Sequence, residues 1–198
     1  MTIFPLFASY ISTIVVTENT SALDHNKLEF KGDNGCTKIS TDLKILKKYP
    51  KIEKILLKKF KDFAKDTFLY DNDFSISTSW FTKAEKGQSS EFHSHKNSFY
   101  SGVYYYDEYS DETGKIIFSS PISSFTDFLV CPSKYIIQNS TEWNIAPSKG
   151  LLVLFPSYLK HKIDRHLDEV PRYSLAFNIV PRGEYGEGDS VYNPEWFK

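Results

Sequence analysis

The stretch FSISTSWFTKAEKGQSSEFHSHKNSFYSGVYYY (residues 74–106) decides the fold of this chain. It contains two runs of β-branched and aromatic residues, FSISTSWF and NSFYSGVYYY, and such runs are typical of short β-strands. Runs of the same character recur downstream as KIIFSS (115–120), KYIIQN (134–139), TEWNIAP (141–147), GLLVLF (150–155) and RYSLAFNIV (172–180). Several short strands separated by turn-forming residues predict a β-sandwich or jelly roll.

The segment upstream of these runs has a helical pattern. From residue 42 to about residue 67, apolar side chains recur three and four residues apart in one stripe, formed by Ile52, Ile55, Leu56, Phe60, Phe63 and Ala64. Pro50 suits the first turn of a helix. A helical segment followed by a series of strands predicts a mainly β fold with flanking helices on one side.

The length of 198 residues is that of one domain with a single sizeable core. We expect residues 1–70 to supply an N-terminal strand and helical support, residues 71–182 to form the jelly-roll core, and residues 183–198 to wrap over the surface. Residues 1–17 should be extended. Residues 18–40 are rich in turn formers and should form an irregular connection.

Composition excludes several classes of protein. The net charge is −1, so the chain as a whole is no polyanion binder. Two cysteines, Cys36 and Cys131, are too few for a disulfide scaffold, and we expect reduced thiols in the cytoplasm. The opening segment MTIFPLFASYISTIVV has no basic region and is too short to span a bilayer, which predicts neither a signal peptide nor a membrane anchor.

Lysines are concentrated in the helical segment. Residues 44–66 contain nine lysines against three acidic residues, a local charge of +6. A basic face could bind nucleic acid or anionic lipid. The apolar stripe, however, is explained by packing on a sheet, and no aromatic residues interleave the lysines. We therefore expect a solvated helix face and neither a nucleic-acid nor a membrane partner.

Three of the five histidines form an ordered set. His93 and His95 are two residues apart, so on an extended segment both side chains share one face. His161 follows the buried run GLLVLF and can enter the same cavity from another strand. Two ligands close in sequence and one distant ligand leave coordination positions open, which suits catalysis. A single histidine is more often a structural residue, and we interpret His25 and His166 in that way.

The strand RYSLAFNI alternates in character. Arg172, Ser174, Ala176 and Asn178 share one face, and Tyr173, Leu175, Phe177 and Ile179 share the other. The second face is apolar and should pack on the core beneath the helix. An arginine that points into a cavity needs an anion, because burial of an unpaired charge is costly. A ligand carboxylate could accept two hydrogen bonds from Arg172 and a further one from the hydroxyl of Ser174.

These motifs together resemble a known family. HSHKNSFYSGVYYY, GLLVLFPSYLKHKID and RYSLAFN are similar to segments of the iron(II)- and 2-oxoglutarate-dependent dioxygenases, in particular a group found in marine bacteria and their phages. The resemblance covers residues 75–182 most strongly. It implies a double-stranded β-helix, which is a cupin-like jelly roll, Fe(II) as the metal and 2-oxoglutarate as the cosubstrate. The location would be cytoplasmic, in the host cell if a phage encodes the chain.

The resemblance also assigns roles to residues. His93 would be the first metal ligand and His161 the distal one. Arg172 would bind the distal carboxylate of 2-oxoglutarate with help from Ser174, and Ser101 would line the cosubstrate cavity. The implied reaction is hydroxylation of a substrate, with release of succinate and CO2. The substrate is an unidentified small molecule or protein side chain, and a homo-oligomer is compatible with the sequence.

One position departs from the wider superfamily, which has Asp or Glu where this chain has His95. A third imidazole leaves the site one unit more positive. We expect His95 to be the ligand, although Glu91 and Asp107 are the nearest carboxylates in sequence. Two alternatives stay open: a three-histidine, cupin-like dioxygenase that does not use 2-oxoglutarate, and a non-enzymatic β-sandwich that binds a small acid or a partner.

Overall fold

The computed structural model describes residues 1–2, 8–122 and 131–194. One long helix, α1 (Pro50–Phe68), follows a short 3-10 helix (Ile45–Lys48), and another 3-10 helix (Gly188–Ser190) lies near the C-terminus. The strands are β1 (Ser12–Val15), β2 (Phe30–Lys31), β3 (Lys38–Ser40), β4 (Asp73–Ala84), β5 (Tyr100–Tyr104), β6 (Ile116–Ser119), β7 (Glu142–Ile145), β8 (Leu151–Pro156), β9 (His161–Ile163) and β10 (Arg172–Arg182). In the described part of the chain, no helix is both long and apolar enough to cross a membrane.

Two antiparallel sheets form the fold. The larger has the strand order β1-β8-β5-β10-β4-β3-β2, and the smaller has the order β7-β6-β9. β10 is central, because it pairs with β4 along its whole length and with β5 over Leu175–Ile179. Neighbours in a sheet are mostly distant in sequence, as in a jelly roll. The predicted mainly β, double-stranded β-helix with flanking helices is confirmed.

Helix α1 covers the outer face of the larger sheet. Ile52, Leu56, Phe60 and Ala64 are buried in one cluster with sheet residues that include Leu175 and Phe177, and Ile55 and Phe63 pack at its edge. The predicted apolar stripe and the predicted apolar face of β10 therefore meet. Gly102 on β5 makes room for this contact, because a Cβ there would lie 2.3–2.8 Å from three atoms of the Phe177 ring.

A second apolar cluster fills the space between the two sheets. It includes Val103, Val153 and Phe155 from the larger sheet and Ile116 and Phe118 from the smaller one. The inner side of the larger sheet also carries the polar face of β10, whose Ala176 belongs to this cluster. His161 contacts Phe118 and Phe155 of this cluster, so Arg172 and His161 both border the inter-sheet space.

Ion pairs occupy much of the lysine-rich segment. Five of its nine lysines lie within salt-bridge distance of a carboxylate, in the pairs Lys47–Glu53, Lys48–Asp42, Lys58–Asp62, Lys59–Glu18 and Lys61–Asp73. Exposed pairs of this kind contribute little to stability. They do reduce the charge that a polyanion would meet, which favours the interpretation of a solvated helix face.

Two local predictions were wrong. Residues 134–139, KYIIQN, form turns instead of a strand. The Asn139 side chain accepts a hydrogen bond from Ile136 N–H and donates one to the Lys134 carbonyl, so local polar contacts replace a strand partner. Residues 18–40 were expected to be irregular throughout but contribute β2 and β3 at the sheet edge. Residues 3–7 of the predicted extended segment and 195–198 of the predicted wrap lie outside the described residues.

Candidate active site

Backbone hydrogen bonds bring the three predicted histidines together. His93 and His161 form an antiparallel bridge, in which each N–H donates to the other's carbonyl at 3.0 and 2.9 Å. His95 N–H donates to the carbonyl of Ser157 at 2.9 Å. The His-x-His segment is therefore aligned with the chain from Ser157 to His161, at the start of β9, and its two side chains lie beside that of His161.

The ring nitrogens are arranged to coordinate one ion. Nδ1 of His93 lies 2.8 Å from the Glu91 carbonyl, and Nδ1 of His161 lies 3.0 Å from the Leu159 carbonyl. A proton on each Nδ1 donates to these carbonyls and leaves both Nε2 lone pairs free. One ligand atom from each histidine lies within 4.8 Å of the others.

The closest pair of nitrogens has the spacing of two ligands of one metal. Nε2 of His95 lies 3.3 Å from Nε2 of His161. With metal–nitrogen bonds of about 2.1 Å, two nitrogens on one ion lie about 3.0–3.4 Å apart at the usual bond angles. The donor set fits Fe(II), and imidazole also suits Zn, Cu and Ni.

Burial keeps the imidazoles of His95 and His161 neutral. Desolvation lowers the pKa of His161 to about 3 and that of His95 to about 4, so both rings retain a free lone pair at pH 7. His161 packs against Phe118 and Phe155, and Trp80 lies beside His95. His93 is exposed, so the group opens to solvent on its side.

The candidates for the second ligand position were His95 and the carboxylates nearest to it in sequence. Within residues 1–2, 8–122 and 131–194, the three histidines are the only group of His, Cys, Asp or Glu whose ligand atoms converge in this way. Glu91, one of the two carboxylates considered, contributes its backbone carbonyl to His93 while its side chain is exposed. The geometry thus favours His95.

Arg172 is a buried cation on the inner face of β10. Its side chain is 2% exposed, and its Nε–H donates to the Gly114 carbonyl at 3.1 Å. Among the described residues, the hydrogen-bond partners of the terminal nitrogens are hydroxyls, those of Ser174 at 3.2 Å, Tyr105 at 3.2 Å and Thr82 at 3.4 Å. No carboxylate of the described residues lies within salt-bridge distance of the guanidinium.

This environment is suited to an anion from outside the chain. A buried guanidinium without a counter-ion is costly, and a carboxylate can satisfy it with two parallel hydrogen bonds. The hydroxyls of Thr82 and Ser174, which lie 2.6 Å apart, can also donate to that carboxylate. Arg172 donates a hydrogen bond to Ser174 in the structure, while their predicted role in binding a cosubstrate stays a prediction.

Ser101 lies on the same inner face but in a different polar group. Its hydroxyl contacts the Ser157 hydroxyl and the Asn178 amide oxygen, each at 2.8 Å. In the register of β5 and β10, Ser101 is opposite Asn178, which lies six residues along β10 from Arg172. The backbone carbonyl of Ser157 in turn accepts the N–H of His95, so this polar group is linked to the segment that carries the histidines.

Sequence reasoning missed the residues that complete the arginine's environment. The run NSFYSGVYYY was interpreted only as a strand, but the hydroxyl of its Tyr105 contacts Arg172, and burial raises the pKa of this phenol. Thr82 had received no role, although it lies directly opposite Ser174 in the β4–β10 register. The available signal was the alternation of β4, which places Thr82 on the same face as Trp80.

A groove of about 470 Å³ adjoins the histidines. It reaches His95 and Lys96, and six rings line it: Tyr10, Phe68, Tyr70, Phe99, Tyr100 and Tyr158. Its size is typical of small-molecule sites.

Fold and candidate site place the chain in the class of metal-dependent oxygenases built on a double-stranded β-helix. A family match covers residues 78–178, with the description "Putative 2OG-Fe(II) oxygenase". The chain belongs to this family of iron(II)- and 2-oxoglutarate-dependent oxygenases and is therefore an enzyme. No curated protein sequence matches the chain.

Solved structures with the same fold share little sequence with this chain. The epimerase SnoN from nogalamycin biosynthesis has a TM-score of 0.62 at 9% identity, over 89% of this chain and 81% of SnoN. HygX from Streptomyces hygroscopicus, bound to nickel, 2-oxoglutarate and hygromycin B, has a TM-score of 0.55 at 14% identity, over 87% and 83%. An oxidoreductase of the 2OG-Fe(II) oxygenase family from Burkholderia pseudomallei has a TM-score of 0.55 at 12% identity, over 77% and 72%.

Proposed function

We propose that the chain is a dioxygenase that hydroxylates its substrate, with His93, His95 and His161 as the metal ligands and Arg172 as the anchor of 2-oxoglutarate. Iron(II) and 2-oxoglutarate, when bound, activate O2 for oxidation of a C–H bond, with release of succinate and CO2. The observation that carries the proposal is Arg172, a buried cation that no carboxylate of the described chain neutralises and that faces the inter-sheet space.

The residues around Arg172 would orient the cosubstrate. The terminal edge of the guanidinium binds the distal carboxylate, and Ser174, Thr82 and Tyr105 supply hydroxyls on its flanks. A carboxylate held at several points has one orientation, so the opposite end of the molecule is directed towards the histidines. Ser101, with Asn178 and Ser157, forms a polar group on the same inner face, and we propose that it lines the cosubstrate cavity near the histidines.

Apolar walls would keep water from the reacting centre. Phe118 and Phe155 enclose His161, and Trp80 shields His95, while His93 faces the opening. Low water content strengthens each polar contact inside the cavity and suppresses side reactions of an activated oxidant. These rings also fix the imidazole orientations, which the carbonyls of Glu91 and Leu159 already restrain.

The prime substrate would bind in the groove beside His95. Its aromatic walls favour a ligand with flat apolar faces, and Lys96 places one ammonium in its lining. HygX is seen with hygromycin B, a small molecule, which supports a small-molecule substrate over a protein side chain. The exposed part of the groove could admit a small molecule or a protein side chain. Activity should therefore be measured with both types of substrate.

The test is an anaerobic titration of the Fe(II)-loaded protein with 2-oxoglutarate, followed by visible absorption. A metal-to-ligand charge-transfer band is expected, and Arg172→Ala should weaken 2-oxoglutarate binding by about 30- to 1,000-fold, because a buried charged contact is lost. The matched control is Arg182→Ala, which removes the exposed arginine at the other end of β10 and should leave the titration unchanged.

The third imidazole favours a second candidate function. A three-histidine dioxygenase that binds its substrate directly to the metal would explain His95, which replaces the usual carboxylate. That enzyme would bind Fe(II) through the same triad but would give no charge-transfer band with 2-oxoglutarate. If the wild-type protein binds iron but shows no charge-transfer band with 2-oxoglutarate, the first proposal is refuted and the three-histidine dioxygenase takes its place.

A further inference from the structure

His166 lies outside the histidine triad, yet both of its ring nitrogens are engaged. The side chain is fully buried (0% exposed). Nδ1 accepts a hydrogen bond from Gly114 N–H at 3.3 Å, and Nε2 donates one to the Val170 carbonyl at 2.9 Å. One acceptor and one donor correspond to a single tautomer of the neutral ring. The imidazole thereby ties the loop before β6 to the segment that leads into β10.

Gly114 transmits this contact to the arginine. Its carbonyl accepts the Nε–H of Arg172 at 3.1 Å. The loop can lie this close only because the residue is glycine, since a Cβ would be 2.5 Å from the Asp164 carbonyl oxygen. Backbone bonds from Asp164 N–H to Lys115 and from Leu167 N–H to Glu112 hold the loop on either side, and the His166 ring supplies the bond between them.

This arrangement determines which edge of the guanidinium is available. The Gly114 carbonyl accepts the hydrogen bond of Arg172 Nε. The two terminal nitrogens have hydroxyl groups as partners, and these hydroxyls can rotate to accommodate an anion. A long side chain that is held at Nε loses less rotamer freedom when its terminal edge binds a ligand. The position of the Gly114 carbonyl should therefore affect the affinity for a carboxylate.

We propose that His166 is a positioning residue that holds Gly114 against Arg172 and so sets the affinity of the site for the distal carboxylate of an oxoacid. This inference rests on the proposed function. Both His166 nitrogens are hydrogen-bonded within the chain, so the proposed effect on ligand affinity passes through Gly114 to Arg172. The backbone of His166 is held separately, by hydrogen bonds with Gly87 and Gln88 that a side-chain substitution leaves in place.

The experiment compares two oxoacids that differ at one end. 2-Oxoglutarate and pyruvate share the keto and carboxylate groups that bind a metal, but pyruvate lacks the distal carboxylate. Both are titrated anaerobically into Fe(II)-loaded protein, and the charge-transfer band gives each Kd. His166→Phe keeps a ring of similar size and removes both hydrogen bonds. We expect about 5- to 30-fold weaker binding of 2-oxoglutarate and an unchanged Kd for pyruvate.

Two further variants complete the series. His166→Gln offers an amide oxygen and an NH2 group, so it should bind 2-oxoglutarate within about threefold of the wild-type protein. His166→Met also removes both bonds and adapts to irregular space, and it replaces the Phe variant if that variant does not fold. In an Arg172→Ala background, neither His166→Phe nor His166→Met should change the Kd for 2-oxoglutarate further.

The matched control is His25→Phe. His25 is another non-triad histidine, whose Nδ1 contacts the Tyr106 hydroxyl and whose ring stacks on Tyr173 on the opposite face of β10. Its replacement should leave the selectivity for 2-oxoglutarate over pyruvate unchanged. Equal weakening of both oxoacids by His166→Phe, no weakening of either, or a Gln variant as weak as the Phe variant would overturn the inference. Absence of any band in the wild-type protein would instead refute the proposed function.

Discussion

Replacement of Gly102 by alanine should destabilise the fold through a single ring, that of Phe177. The new Cβ would lie 2.3, 2.7 and 2.8 Å from three ring atoms, whereas carbon atoms in contact prefer about 3.5–4.0 Å. Phe177 is fully buried between β5 and helix α1, so the ring cannot move aside without displacing its neighbours. Overpacking of this kind costs about 1–3 kcal/mol, which corresponds to a fall in Tm of about 2–12 °C for a chain of this size.

A double-mutant cycle tests the cause of this loss. Urea unfolding is measured for Gly102→Ala, Phe177→Leu and the double variant, because leucine at position 177 leaves room for the new methyl group. We expect the double variant to be at least about 1 kcal/mol more stable than the sum of the single losses predicts. Additivity within about 0.5 kcal/mol, or a stable Gly102→Ala variant, would refute the packing argument.

Three further predictions concern the candidate site. His161→Ala should weaken Ni(II) or Fe(II) binding by at least about 100-fold in calorimetry, and an unchanged Kd would remove this residue from the triad. His95→Asp should retain the metal and bind it more tightly, because it lowers the charge of the site by one unit; weaker binding would indicate that the cavity is shaped for imidazole. Tyr105→Phe should weaken 2-oxoglutarate about 3- to 15-fold in the charge-transfer titration without affecting pyruvate, and equal effects on both would contradict a contact through Arg172.

The alternation of side chains along an extended chain predicted those parts of the site that lie within one segment. The common face of His93 and His95 and the polar face of β10 both follow from the alternation of side chains along a strand. The apolar face of β10 was predicted beneath the helix for the same reason, and Leu175, Phe177 and Ile179 are buried there with residues of α1. These features depend only on local geometry, which the sequence contains.

The missed features depend on contacts between distant segments. Thr82 reaches Ser174 only through the register of β4 with β10, and the loop at Gly114 reaches Arg172 across 58 residues of chain. The alternation within one strand determines which face each side chain lies on. It does not determine which residue of a distant strand lies opposite it. The wrong prediction at KYIIQN (134–139) has a local cause. Its apolar residues suit a strand, but the Asn139 side chain forms hydrogen bonds with the backbone of Ile136 and Lys134, which take the place of bonds to a neighbouring strand.

The unequal exposure of the triad has a consequence for metal exchange. His161 is 4% exposed and sits against the inner wall, whereas His93 is at the surface. If the three histidines hold an ion as proposed, solvent reaches the bond to His93 before the bond to His161. We therefore expect the ion to exchange from the His93 side. Such a site would exchange its ion with the Fe(II) of its surroundings, and activity would then follow the concentration of that iron.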